Sequence, residues 1–147
     1  MKDIPEQDDH GYKWHAMFVV SVGVFMATLD GSIVNIALPT LTKYFNTDIA
    51  TIEWVILSYL LTITALLLTL GRLSDMYGKK PAFASGLAIF TIGSALCSFS
   101  ASDLQLIAFR MVQGVGAAMI MAIGPAIITS AFPHNERGRA LGLIGTV

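Results

Sequence analysis

The chain has 147 residues, of which 54% are hydrophobic and only 13% charged, with a formal net charge of −1. A soluble domain of that composition would lack the polar surface to cover itself and would expose long apolar faces. The composition therefore points to an all-α membrane protein, in which helices satisfy their own backbone polar groups inside lipid.

Residues 1–13 are polar, carry acids as well as Lys2 and Lys13, and read as a tail. A spanning helix needs about 20 mostly apolar residues at a rise of about 1.5 Å each. Stretches 16–38, 54–73, 81–100 and 104–132 meet that length, the last with a bend at Pro125. Residues 140–147 are apolar again and read as the start of a fifth helix. The expectation is the N-terminal portion of a larger protein that begins at Met1 and is cut within an element. A cleavable signal peptide is the competing reading of the first apolar run, but the run is about twice the usual 7 to 15 residues.

Basic residues set the orientation. Lys2 and Lys13 precede the first span, Arg72, Lys79 and Lys80 follow the second, and Arg137 and Arg139 follow the fourth, whereas the opposite side carries only Lys43. The N-terminus and both basic connections are thus expected in the cytoplasm, with 39–53 and the 101–103 turn outside. Trp14 and Trp54 fall at opposite interfaces. The expected location is a plasma or bacterial inner membrane, with lipid as the surrounding partner.

Two charges stand inside the apolar stretches, Asp30 and Arg110. Placing either at a bilayer centre costs about 2.5 to 3.5 kcal/mol on insertion scales, so such residues usually face a cavity, a partner or an ion path. Gly23, Ala27, Asp30, Val34 and Ala37 share one helical stripe, because their separations are three or four residues. Arg110, Gln113, Gly114, Ala117, Met121 and Gly124 form another. Counted along the axes, Asp30 lies about 13 Å from Pro39 and Arg110 about 10 Å from Asp103, so the two charges can share one level. A guanidinium does not release its proton at accessible pH. Arg110 is therefore expected to act electrostatically, and Asp30 to be the group that titrates.

Other chemistry finds little support. Cys97 stands alone and offers neither a disulfide nor a metal cluster. His10, His15 and His134 have no second ligand at metal spacing. No glycine-rich phosphate loop is present. No enzyme activity, cofactor, metal or nucleic-acid partner is expected.

Three local patterns resemble those of a known family. The run 29–39, LDGSIVNIALP, resembles the first-helix motif of proton-coupled drug antiporters of the major facilitator superfamily, with Ser32 where threonine is commoner. The run 71–80, GRLSDMYGKK, is similar to the superfamily's loop between helices two and three, with Met76 and Lys79 where arginine is frequent. The run 106–118, LIAFRMVQGVGAA, is similar to its fourth-helix motif, and the second-helix segment with Tyr59 also fits. The first-helix motif favours the branch with fourteen helices.

The resemblance implies a major-facilitator-type helical bundle in which helices one and four are counterparts lining a central cavity. It implies a secondary active exporter of lipophilic or cationic compounds in exchange for protons, with Asp30 and Arg110 as the coupling pair. Asn35, Gln113, Gly114 and Met121 are candidates to line the substrate cavity. Gly71, Asp75, Gly78, Lys79 and Lys80 would form a conformational latch, Asp75 contacting a helix of the other half with the lysines as its charged neighbours. Two alternatives stay open: a transporter of an organic anion or metabolite in the same superfamily, and a truncated fragment that does not transport. The oligomeric state is not fixed by these residues.

Overall fold

The structure is a computed structural model that describes residues 9–146; Lys2 and the rest of 1–8, Val147, and the side chain of His10 lie outside the described residues. Five helices follow in chain order: α1 (Asp9–Phe45), α2 (Ile49–Tyr77), α3 (Lys79–Ser98), α4 (Asp103–Ala131) and α5 (Arg137–Gly145). The first four are long and apolar enough to cross a membrane. They are all-α and antiparallel in sequence, as short connections between long helices require.

α1 and α2 overrun their expected ends at both sides. α1 starts within the expected tail and continues through Pro39 to Phe45, where a loop was expected. Proline removes a backbone donor, but tertiary packing can compensate. Here Val34, Leu38, Leu41 and Phe45 pack on Ile52 and Val55 of α2 and Leu106 of α4. Burial of that apolar ridge holds the extra turns. The α1–α2 connection shrinks accordingly to Asn46–Asp48. The Thr51 hydroxyl donates to Asp48 there and holds its carboxyl below the usual range. At the same end, the Thr47 hydroxyl donates to Asp103 at 3.3 Å.

α2 and α3 are separated by a single residue, Gly78, whose φ of 97° suits glycine and strains an L side chain. α4 begins with a reciprocal cap: the Gln105 backbone N–H donates to the Ser102 hydroxyl, and Gln105 Oε1 accepts from the Ala101 backbone N–H. Such caps satisfy donors that a helix start leaves unpaired.

α4 is the hub of the bundle. In its most apolar window 61% of residues are buried, against 22% in each of the other three spans. It packs against α1, α2, α3 and α5. Its core positions include Ala117, Ile120, Ile123 and Ile127, met by Val20 and Ala27 of α1, Tyr59 and Ile63 of α2, and Phe83 and Phe90 of α3. The α3–α4 contact is close because glycines face it. A Cβ on Gly93 would lie 2.7 Å from Gln113 Cα, and one on Gly86 would lie 2.7 Å from Met119 Cβ. Small residues let helix backbones approach in lipid, where packing rather than the hydrophobic effect drives association.

Candidate functional site

Asp30 and Arg110 meet. The Arg110 Nη1 donates to Asp30 Oδ2 at 2.6 Å, across an α1–α4 interface whose residues are 80 positions apart in sequence. Gln113, one turn along α4 from Arg110, joins both. Its Oε1 accepts from Arg110 Nη1 at 2.8 Å, while its Nε2 donates to Asp30 Oδ1 at 3.0 Å. The three side chains thus form a closed ring of charge-assisted hydrogen bonds, which are the stronger kind.

The fourth component comes from α2. The Arg110 guanidinium lies 4.9 Å from the Tyr59 ring centroid, within cation–π range. The Tyr59 hydroxyl donates to the Ala27 carbonyl of α1 at 3.3 Å. The thiol of Cys97 on α3 approaches Gln113 Oε1 at 3.7 Å. Helices α1 to α4 therefore each contribute to one polar cluster in the apolar interior.

Exposure within the pair is uneven. The Arg110 side chain is 3% accessible and that of Asp30 is 20%. The acid is the more exposed member of the pair. Arg110 Nε is buried without a hydrogen-bond partner among the described residues, so the arginine is held by fewer bonds than its donors allow.

The four residues expected to line a substrate cavity have different surroundings within this bundle. Asn35 is exposed and donates to the Gly31 carbonyl of its own helix at 2.9 Å. Gly114 is buried against α2, where a Cβ would fall 2.9 Å from Thr62 Cβ. Met121 packs against the main hydrophobic cluster. Gln113 alone belongs to the polar cluster.

The loop residues do not gather around Asp75. Asp75 is exposed, and its side chain has no hydrogen bond or ion pair among the described residues. The Lys79 ammonium reaches α4 instead, donating to Ser130 Oγ at 3.0 Å and the Ala126 carbonyl at 3.3 Å. The cation complements the negative C-terminal end of that helix. The Lys80 ammonium stands 4.3 Å above the Tyr12 ring of α1. Gly78 makes the tight turn between α2 and α3, whereas a Cβ on Gly71 would meet Ala122 Cβ at 3.8 Å, an ordinary contact.

The residues sequence reading undervalued are Tyr59, Gly93 and Lys13. Lys13, expected as a tail charge, is buried and pairs with Glu136 at 2.8 Å. The parts of the cluster that the sequence shows are the shared level of Asp30 and Arg110 and the i, i+3 spacing of Arg110 and Gln113.

A bundle of membrane-spanning helices with a buried carboxylate–guanidinium pair across two of them defines an integral membrane protein built around an internal polar site. The Major Facilitator Superfamily model matches residues 20–147, and the chain belongs to that family of transporters. It is 46% identical over 135 residues to the riboflavin transporter RibZ of Clostridioides difficile (strain 630), an alignment that takes in 92% of this chain and 30% of that protein. It is 37% identical over 129 residues to multidrug resistance protein 3 of Bacillus subtilis (strain 168), covering 86% of this chain and 24% of the relative. The methylenomycin A resistance protein of the same organism is 36% identical over 124 residues, covering 84% and 26%. The chain thus spans under a third of the length of these relatives.

Proposed function

We propose that the chain forms part of a secondary active exporter, in which Asp30 takes up and releases a proton as a lipophilic or cationic compound moves the other way. The observation that carries this reading is the Asp30–Arg110 contact at 2.6 Å inside the membrane-spanning bundle. An acid with one face open and an arginine on the other has two competing stabilities. Desolvation favours its neutral form, and the guanidinium favours its charged form. A rearrangement that changes their separation switches the balance, and proton coupling needs such a difference between states.

In this reading the Lys13, Gly78 and Arg137 end faces the cytoplasm, by the distribution of basic residues. Asp75 at that end is available to a helix of the remainder of the transporter. The resistance proteins among the relatives support export of foreign compounds, and the first-helix pattern supports the fourteen-helix branch.

The relative at 46% identity favours a second reading: transport of a flavin-like planar metabolite. Proteoliposomes of the complete transporter decide between them. Ethidium moving against its gradient under an imposed proton gradient, with riboflavin ignored, supports drug export. Riboflavin transport without ethidium transport supports the second reading. In either assay Asp30→Asn is expected to abolish gradient-driven movement while leaving membrane insertion intact. Full gradient-driven transport by that variant would remove Asp30 from the mechanism.

A further inference from the structure

The coupling pair needs more than two residues, because the Arg110 side chain enters from α4 on a long flexible stem and must present one nitrogen to a carboxylate on α1. Two neighbours restrict it. In the guanidinium plane, Gln113 Oε1 takes the same Nη1 that binds Asp30, and its amide nitrogen holds the other carboxylate oxygen. The guanidinium stands over the Tyr59 ring, 4.9 Å from its centroid. Both neighbours are themselves fixed: Gln113 is 1% and Tyr59 3% exposed. Gly93 of α3 lets the Gln113 backbone sit close, and the Tyr59 hydroxyl is anchored on Ala27, one turn before Asp30.

We infer that Gln113 and Tyr59 are positioning residues for the Asp30–Arg110 pair, Gln113 locking carboxylate and guanidinium together through its amide and Tyr59 holding the guanidinium over its ring. Gln113 is thereby moved from the substrate cavity to the proton site. The inference rests on the reading of Asp30 as the proton-exchanging group. Its amide can play this role in one orientation only: the oxygen must face the Arg110 and Cys97 donors, and the nitrogen must face the carboxylate. Turned over, it would set two donors against each other and an oxygen against a carboxylate.

The titratable and charged groups around Asp30 are few. Arg110 faces it from α4, Tyr59 from α2, and Cys97 from α3 through Gln113. α5 meets α1 near Lys13 and Glu136, about 25 Å along the axis from Asp30. A displaced titration of Asp30 in a Gln113 or Tyr59 variant therefore reports on this cluster.

Infrared difference spectroscopy of the complete transporter in liposomes tests the proposal without a transported substrate. The Asp30 carboxyl band is identified by its loss in Asp30→Asn and followed through a pH series spanning neutrality. Gln113→Met conserves shape and removes the side-chain amide's hydrogen bonds with Asp30, Arg110 and Cys97, and is expected to displace the Asp30 midpoint by about one pH unit. Gln113→Asn keeps the amide but withdraws it by one methylene, and displaces the midpoint as well should Gln113→Met fail to accumulate. Tyr59→Leu displaces it, whereas Tyr59→Phe, which keeps the ring, leaves it near wild type. A titrating band unmoved in the Gln113 variants overturns the proposal alone, and equal effects of Tyr59→Phe and Tyr59→Leu overturn the role of the ring. A wild-type band that does not titrate overturns the proton-site reading and this inference with it.

Discussion

Lys13 and Glu136 lie 123 positions apart and join at 2.8 Å, tying the first turns of α1 to the α4–α5 connection. The Lys13 ammonium also stands 5.6 Å from the Phe132 ring centroid, and Trp14 packs edge-on against the same ring at 6.2 Å. The lysine side chain is 9% accessible and the glutamate 45%. Removing the glutamate leaves a buried cation without its carboxylate, whereas removing the lysine leaves an acid that water can reach. Glu136→Gln is therefore expected to destabilise the bundle by about 1 kcal/mol, a figure discounted for the half-exposed acid. Thermal unfolding in detergent measures it. A melting temperature equal to wild type would show that the contact contributes no stability.

Arg110→Lys and Arg110→Ala separate charge from geometry. Lysine keeps the charge but cannot reproduce the planar donor set that serves both Asp30 and Gln113. Arg110→Lys should displace the pH profile of export in proteoliposomes. Arg110→Ala should displace it further and lower export by about tenfold or more, corresponding to about 1.4 kcal/mol. Unshifted profiles in both variants would remove Arg110 from coupling.

The α3–α4 glycines should tolerate no side chain, in contrast to Gly71. Gly93→Ala places a methyl 2.7 Å from Gln113 Cα, so the helices must separate. Overpacking of this kind typically costs about 1–3 kcal/mol. Gly71→Ala meets its neighbour at 3.8 Å and should cost next to nothing. Paired unfolding curves check the contrast, and equal stabilities would show that α3 adjusts freely.

Asp75→Asn addresses the latch. Since the Asp75 side chain has no partner among the described residues, the substitution should leave this bundle's stability unchanged and act only where the rest of the transporter engages it. Cysteine-accessibility labelling from each side of the membrane should then show a changed balance of conformations together with reduced transport. Unchanged labelling with normal transport would leave Asp75 a topology-setting charge.

Much of this architecture was legible in the sequence, for reasons that differ by residue. Span lengths follow from hydropathy, and the shared level of Asp30 and Arg110 follows from counting a fixed helical rise from two turns. The helix through Pro39 was not legible, because the ridge that supports it, Leu38, Leu41 and Phe45, finds its partners on α2 and α4. Gly114 and Met121 share a stripe with Arg110, but a stripe states only which residues point one way. It does not say whether they meet a cavity or another helix, and here they meet Thr62 and the hydrophobic core. Lys79 and Lys80 diverge for the same reason: adjacent residues on a helix point about 100° apart.

The single-residue joint at Gly78 has a mechanical consequence. With no slack between α2 and α3, and both laid along α4, these three helices share one frame, to which Arg110, Gln113 and Tyr59 all belong. Asp30 rides on α1. A slide of α1 by one helical turn, about 5.4 Å, would carry the carboxylate out of reach of both its partners at once. The Asp30–Arg110 contact is in that sense a measure of where α1 stands along α4.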